Sequence, residues 1–358
     1  MFFYLSLFLL FIAIYKWAEF DGRWWTLLIA ILIPALFEGL RDDVVGEDML
    51  GYGGDWFFNM DENEPLLSMF EFAQTPEYAY HLLIYVCKKI SQNINVFMTA
   101  CALIKMTAVT LFVYKMREQL SSLLFLFCYY CFFYVTTFSL MRQGIAVAIC
   151  IYALAYFAKN KIWQFLLTGV IAYLFHSSAI LILLLIPIYY MRNLQYNYFI
   201  VIGSIVLVYF FVDFLFELVL MTPLFKSGMA ELYVDSGVAS AKTNLLITTA
   251  FMGYGVYQYF FEDEEENHEN TYMLIVTSAA TLLFLLLSSY IEVAFRMSYY
   301  MFIVSVAIVA MFIYNSEQYR LERYAGFVAL FLVHFYFSCS HGLAGALDYS
   351  SSILGIYF

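Results

Sequence analysis

Four ionisable side chains stand beside long apolar runs, where a charge is costly unless it is paired or solvated. They are Arg41, Arg142, His176 and Arg296. Arg142 follows Ser139-Leu-Met at the start of a predicted helix. Its guanidinium presents five donors in a planar fork that matches phosphate oxygens, and the helix N-terminus adds backbone donors. We therefore expect a phosphate-binding site at Arg142, with snorkelling to lipid headgroups as the alternative.

Arg41 and Arg296 could bind the same anion, although each has an acidic neighbour. Arg41 precedes Asp42 and Asp43, and Arg296 follows Glu292 by one helical turn. Local ion pairs would account for both arginines without any ligand. The sequence leaves the two interpretations of each arginine open.

A hydroxyl nucleophile at neutral pH needs a base within hydrogen-bond reach, and three residues are candidates for that base. They are Asp48, Glu77 and His176. Asp48 lies between Gly46 and Gly51, which let the backbone approach a ligand closely. For His176, at the end of a predicted helix among serines, the alternative is a buried structural histidine.

The elements that position these residues must be membrane helices. The chain has 358 residues, of which 64% are hydrophobic, 21% aromatic and only 13% charged, whereas about 25% of residues in a soluble domain are charged. A spanning helix needs about 20 apolar residues, and the apolar runs number about twelve. The composition thus predicts an all-α polytopic integral membrane protein, with residues 1–358 in a single transmembrane domain.

Two larger connections interrupt the apolar runs. Residues 41–93 form an acidic loop, in which residues 78–90 have the spacing of an amphipathic helix lying on the membrane interface. Residues 221–243 form the second loop. Short connections on the opposite side hold a small majority of the Lys and Arg residues, so the positive-inside rule places both loops and both termini outside. Loop aromatics such as Tyr52 and Trp56 could stack on sugars, and membrane anchoring is the alternative.

Several functional classes are disfavoured by the charge and the ligand residues. A net charge of −11 gives no basic surface for nucleic acid. Asp42 and Asp43 could hold Mg²⁺, but no tight ligand spacing supports a metal site. Most of the six cysteines lie inside apolar runs, where packing is their expected role. We therefore expect no metal, no cofactor and no disulfide framework.

Several short motifs follow one another along nearly the whole chain. They are Arg41…Val45-Gly46-Glu47-Asp48…Tyr52, Glu77, Met141-Arg142-Gln143-Gly144-Ile145-Ala146, Phe175-His176-Ser177-Ser178-Ala179 and Arg296…Tyr299-Tyr300. In this order they resemble the motifs of the EpsG family, which is similar to Wzy-type polymerases of bacterial surface polysaccharides. The chain departs from the family pattern at Glu47, where Thr is common, and at Tyr78-Ala79, near which a Gly often occurs.

The resemblance implies a GT-C-like fold and a membrane glycosyltransferase. Such an enzyme transfers the growing glycan from undecaprenyl pyrophosphate to the sugar end of a new undecaprenyl-pyrophosphate-linked repeat, in O-antigen, capsule or exopolysaccharide biosynthesis. It works in the bacterial cytoplasmic membrane with its site facing the outside. The implied partners are this lipid-linked oligosaccharide and membrane lipids, with a chain-length regulator as an optional third.

For such a reaction we predict a role for each candidate residue. Arg142 and Arg296 would bind the pyrophosphate, and Arg41 would bind phosphate or position its loop. Asp48 or His176 would be the base, and Glu77 would orient the acceptor. The expected glycan contacts are Tyr52, Gln143, Tyr299 and Tyr300.

Two other functions would use similar residues. A flippase or transporter of the same lipid-linked glycan would also have outward-facing arginines, but it should show paired broken helices and charges near the bilayer midplane. Lys105, Asp213 and Glu217 lie within predicted spans but form no obvious relay, and no paired helices broken by Gly or Pro stand out. An O-antigen-ligase-like transferase would expel the same leaving group, so the sequence separates it poorly from a polymerase.

Overall fold

The computed structural model of the protein describes residues 1–46, 54–61, 65–66, 77–194, 198–199, 203, 206–207, 210–211, 241–261, 268–288, 292–316 and 319–358. The chain forms two compact units. The first consists of Met1–Ile180 and Ala310–Phe358, and the second of Leu181–Val309. Both units are helical, which confirms the prediction of an all-α membrane protein.

The apolar runs form helices because lipid cannot hydrogen bond to open backbone, and few Gly or Pro residues interrupt them. A π-helical turn, Tyr130–Tyr134, follows the α-helix that ends at Tyr129, and a 3₁₀ helix, Ser177–Leu184, precedes the α-helix that begins at Leu185. In chain order the described helices are α1 Phe2–Asp21, α2 Trp24–Gly39, α3 Gly54–Asn59, α4 Tyr78–Ile90, α5 Ile94–Met116, α6 Ser122–Tyr129, α7 Thr136–Ser139, α8 Met141–Phe157, α9 Ile162–Phe175, α10 Leu185–Met191, α11 Ala241–Phe261, α12 His268–Leu287, α13 Glu292–Asn315 and α14 Arg320–Ser340.

Four of the described helices are long and apolar enough to cross a membrane, namely Phe2–Asp21, Ile94–Met116, His268–Leu287 and Val293–Asn315. Further apolar helices of 10–17 residues include α2, α8 and α9. The protein is thus a multi-pass membrane protein, whereas the count of about twelve spans stays a prediction. The second predicted loop, residues 221–243, lies almost entirely outside the described residues.

Helices α2 and α5 pack closely where α2 ends. A Cβ atom on Gly39 would lie 2.4 Å from the Thr99 Cα, so only glycine allows this approach. The Asn95 side chain donates to the carbonyls of Gly39 and Arg41, at 3.1 and 2.8 Å. The start of α5 therefore fixes the residues that follow α2.

The C-terminal residues form a small hairpin against the same region. Its strands, β1 Ser350–Ser351 and β2 Ile356–Tyr357, pair antiparallel. The Asp42 N–H donates to the Ser350 carbonyl at 2.9 Å, and Ser351 Oγ donates to the Leu40 carbonyl at 2.5 Å. The rings of Phe3 and Phe358 stack with centroids 4.0 Å apart. Both chain termini thus lie at the Arg41 end of the first unit.

The opposite end of the first unit carries its own polar contacts. Lys16, near the end of α1, pairs with Glu19 and donates to Ser122 Oγ at 3.3 Å. Lys115, at the end of α5, donates to the hydroxyls of Tyr152 and Tyr156 on α8. These contacts join α1 to α6 and α5 to α8 at the end away from Arg41.

In the second unit, α11 packs against α12. Buried hydroxyls of Thr277 on α12 and Ser305 on α13 hydrogen bond at 2.9 Å. Such bonds between spanning helices are worth about 0.6–2 kcal/mol.

Candidate active site

Glu77 lies at the centre of the candidate site, immediately before α4. Its Oε2 accepts a hydrogen bond of 2.5 Å from Arg142 Nη1, and its Oε1 lies 2.5 Å from His176 Nδ1. The Ser177 backbone N–H also donates to Oε1, at 3.4 Å. Three elements therefore meet at one carboxylate, namely the start of α4, the start of α8 and the residues after α9.

Burial and pairing have opposite effects on Glu77, whose side chain is 3% exposed. Burial alone would raise the pKa of the carboxyl group. The hydrogen bond with His176 and the positive charge of Arg142 outweigh that effect and lower the pKa below its ordinary value. Glu77 is therefore an ionised carboxylate at neutral pH, and both of its partners favour that form.

His176 is the residue directly after α9, and its extended backbone, with φ −157° and ψ 125°, carries the chain out of the helix. The contact with Glu77 fixes the orientation of the ring through Nδ1. In the described part of the chain no residue hydrogen bonds to the second ring nitrogen, Nε2. The side chain is 22% exposed. An imidazole held in this way by a carboxylate can accept a proton at Nε2.

Arg142 is the second residue of α8, and its guanidinium has contacts on two sides. Beside its bond to Glu77, its Cζ lies 5.1 Å from the centre of the Trp56 ring. The Trp56 ring in turn stacks on His81 of α4, with centroids 4.4 Å apart. The Arg142 side chain keeps 21% of its surface exposed. A fixed, partly exposed guanidinium can bind an anionic group that approaches from solvent.

Arg41 is fully buried, with 0% of its surface exposed. Its Nε donates to the Val45 carbonyl at 3.1 Å, and Nη1 to the Glu38 carbonyl at 2.7 Å. Its Nη2 donates to the Phe138 carbonyl at 2.9 Å. Of the two roles expected for Arg41, these contacts favour positioning of the loop over binding of a phosphate.

A buried ion pair that sequence reasoning missed lies beside Arg41. Lys105, in the middle of α5, pairs with Glu38 near the end of α2, and the two side chains are 0% and 2% exposed. Lys105 Nζ also donates to the Thr137 carbonyl at 3.2 Å and to Thr137 Oγ1 at 3.0 Å. The signal was present in the sequence as two opposite charges, each within an apolar run.

The remaining predicted site residues are Asp48, Tyr52, Gln143, Arg296, Tyr299 and Tyr300. Gln143, next to Arg142, is buried. Arg296, Tyr299 and Tyr300 are on α13 in the second unit, where Arg296 is partly exposed and both tyrosines are buried. The predicted base Asp48 and the predicted glycan contact Tyr52 lie outside the described residues.

Asp42, one of the two carboxylates considered as Mg²⁺ ligands, contacts the C-terminal hairpin. Asp42 accepts a hydrogen bond from the Ser352 N–H at 2.8 Å, which lowers the pKa of its carboxyl group. Among the residues that the structure describes, no three His, Cys, Asp or Glu side chains group closely enough to hold a metal ion.

Comparison with known proteins identifies the family. The model of the EpsG family matches residues 24–351, which is nearly the whole chain. The chain therefore belongs to the EpsG family, a family of Wzy-like polysaccharide polymerases. No curated protein and no solved structure matches it. The matched range includes Glu77, Arg142 and His176.

Proposed function

We propose that this protein polymerises lipid-linked oligosaccharide repeats at the outer face of the bacterial cytoplasmic membrane. The growing glycan leaves its undecaprenyl pyrophosphate carrier and is joined to the terminal sugar of a new carrier-linked repeat. The observation that carries this proposal is the Glu77 carboxylate, which holds a cation suited to phosphate and an imidazole suited to proton transfer.

In the proposed reaction, an acceptor hydroxyl oxygen attacks the anomeric carbon of the growing glycan. The bond from that carbon to the pyrophosphate oxygen breaks, and the pyrophosphate leaves with the bonding electrons. The hydroxyl proton passes to Nε2 of His176. One carbon–oxygen bond forms and one breaks, so the step needs no oxidant and no reductant.

Arg142 stabilises the charge that develops on the departing pyrophosphate. Donors fixed in advance toward such a charge commonly contribute about 10²–10³-fold to the rate. Glu77 and Trp56 hold the guanidinium on two sides, so little rearrangement is needed when the phosphate binds. The roles of Arg296 in binding pyrophosphate and of Tyr52, Gln143, Tyr299 and Tyr300 in binding glycan stay predictions from the sequence.

Asp48 and His176 are the two residues predicted to act as the base, and we favour His176 because Glu77 orients its ring. Replacement of a general base commonly lowers the rate by about 10²–10⁴-fold. We expect that loss for His176→Ala in purified enzyme given lipid-linked repeats. His341→Ala, which changes an exposed histidine after α14, is the matched control and should retain activity. Full activity of His176→Ala would remove the histidine from the mechanism.

The function itself is tested by the length of surface glycan in cells that lack the gene. We expect single repeats in the deletion strain and in a strain rescued with Arg142→Ala, and a ladder of long chains after rescue with the wild type. Repeats that accumulate on the inner leaflet would indicate a flippase. Long chains that stay unattached would indicate a ligase, and either result would overturn the polymerase.

A further inference from the structure

A short helical turn, α7, comes immediately before the helix that carries Arg142. It has only four residues and ends at Ser139, and the backbone of the next residue, Leu140, leaves the helical region with φ −83° and ψ 57°. Its last carbonyls therefore lack the partners that a continuing helix would supply. In a membrane protein each buried carbonyl needs another donor.

Two buried cations supply those donors. Lys105 Nζ donates to the Thr137 carbonyl at 3.2 Å, and Arg41 Nη2 donates to the Phe138 carbonyl at 2.9 Å. Lys105 also donates to the Thr137 hydroxyl, at 3.0 Å. Consecutive carbonyls of α7 are thus bound by side chains that come from two other places, α5 and the residues after α2.

The cations are themselves fixed. Lys105 pairs with Glu38 inside the protein, so the lysine charge has a counter-ion where no water reaches it. The guanidinium of Arg41 donates to two further carbonyls and lies 4.8 Å from the centre of the Phe138 ring. Charge-assisted bonds of this kind are about twice as strong as bonds between neutral groups.

α7 directly contacts the first turn of α8, which carries Arg142. Gly144, in the first turn of α8, donates its N–H to the Leu140 carbonyl at 2.6 Å. A Cβ atom on Gly144 would lie 2.7 Å from Thr137 Cβ and 3.4 Å from Lys105 Cδ. The first turn of α8 therefore rests directly on Thr137 and Lys105, with no space between them.

We propose that Lys105 and Arg41 are positioning residues, which hold α7 and through it place the Arg142 guanidinium against the leaving pyrophosphate. This inference rests on the proposed function. It gives the buried cations a catalytic consequence although neither of them touches substrate. A displacement of about 1 Å at a reacting group can cost about 10²-fold in rate.

The test uses the double variant Glu38→Gln/Lys105→Met, which removes both charges of the buried ion pair together, so that neither partner is left without the other. We expect kcat of the purified enzyme on lipid-linked repeats to fall about 10²-fold, with little change in KM, because the charge on pyrophosphate develops in the transition state. Lys115→Met is the matched control. It changes a lysine of the same helix, α5, whose contact with Tyr152 lies near the other end of that helix, and it should keep its kcat.

A double-mutant cycle shows whether Lys105 acts through Arg142. In an Arg142→Ala background, followed by single turnovers, the same double change should lower the rate far less than it does in the wild type. An equal loss in both backgrounds, or full activity of the double variant, would overturn the inference. If the double variant is not monodisperse, Thr137→Val carries the test, with an expected loss of about 3–10-fold that disappears in the Arg142→Ala background.

Failure of the proposed function would look different. In that case the wild-type enzyme would not extend the repeats, or Arg142→Ala would be as active as the wild type. If Arg142→Ala is much slower than the wild type while the Lys105 variants lower its residual single-turnover rate by the same factor as in the wild type, the polymerase survives and only the positioning role is lost.

Discussion

Glu77 and His176, which are 99 residues apart in the chain, are joined at 2.5 Å between Oε1 and Nδ1. The other carboxylate oxygen of Glu77 accepts from Arg142. With both oxygens bound to side chains, Glu77 is suited to orienting its neighbours and is poorly placed to take a proton from substrate. We therefore regard Glu77 as the residue that ties the base and the anion-binding cation into one unit.

The lowered pKa of Glu77 predicts how stability depends on pH. Its pKa in the folded protein lies below the ordinary value of 4.5, so the unfolded chain binds the proton more readily. The stabilisation is fully present above that ordinary value and is lost as the pH falls through the folded pKa. At neutral pH, Glu77→Gln should therefore unfold at a lower temperature than the wild type, with a loss of about 1–3 kcal/mol.

The difference in melting temperature between wild type and Glu77→Gln should shrink as the pH falls below about 4.5. Glu322→Gln, which changes an exposed carboxylate on α14, is the control and should melt close to the wild type throughout. Thermal unfolding in detergent from pH 3 to pH 7 checks this prediction. A difference that widens on acidification would contradict the assignment of an ionised, paired Glu77.

Arg142→Lys should be almost as defective as Arg142→Ala. A lysine ammonium keeps the charge, but it lacks the planar fork that binds phosphate in a bidentate way and stacks on an aromatic ring. The measurement is the length of surface glycan in a rescued deletion strain. Arg117→Lys changes the arginine that directly follows α5, and as the control it should give a normal ladder. A ladder of full length from Arg142→Lys would show that a point charge is sufficient at this position.

The parts of this site that depend on local sequence could be predicted. Apolar spacing between Glu77 and the Lys88-Lys89 pair marks the helix Tyr78–Ile90, although its place at a membrane interface stays a prediction. The break after Ser139 marks a helix that starts beside Arg142, and the serines after His176 mark a helix end. Each of these signals is contained within a few neighbouring residues.

The contacts between these segments could not be predicted, because packing between helices decides them. The sequence does not indicate that the Glu77 carboxylate contacts residues 65 and 99 positions away. The Glu38–Lys105 pair joins residues 67 positions apart, and both side chains come from apolar runs. The periodicity of the sequence does not indicate which buried charges pair with each other.

Gly144→Ala should destabilise the protein, because the new methyl group would lie 2.7 Å from Thr137 Cβ. Overpacking of this kind typically costs about 1–3 kcal/mol. Gly253→Ala is the matched control, since Gly253 also lies inside a helix but has no atom within 4 Å of the added Cβ. There the higher helix propensity of alanine should stabilise the protein by up to about 1 kcal/mol.

The two glycine variants should therefore shift the melting temperature in opposite directions, downward for Gly144→Ala and unchanged or upward for Gly253→Ala. Because Gly144 rests against α7, its variant should also lose polymerising activity at temperatures where it remains folded. Equal melting temperatures for the two variants would show that α8 moves away from Thr137 at no cost.

Ser351 links the C-terminal hairpin to the end of α2, and its loss should weaken the Arg41 region. Its buried Oγ donates to the Leu40 carbonyl at 2.5 Å and accepts from the Leu354 N–H at 3.1 Å. Ser351→Ala would leave both backbone groups without these partners, which typically costs about 1–3 kcal/mol.

Ser6→Ala is the control, because that exposed hydroxyl bonds only within its own helix, to the Phe2 carbonyl, in the described structure. We expect thermal unfolding to show a clear loss for Ser351→Ala and a change within about 0.5 kcal/mol for Ser6→Ala. Because Leu40 adjoins Arg41, Ser351→Ala should also shorten the glycan made in a rescued strain. Wild-type stability and wild-type glycan length in that variant would show that the hairpin does not support the site.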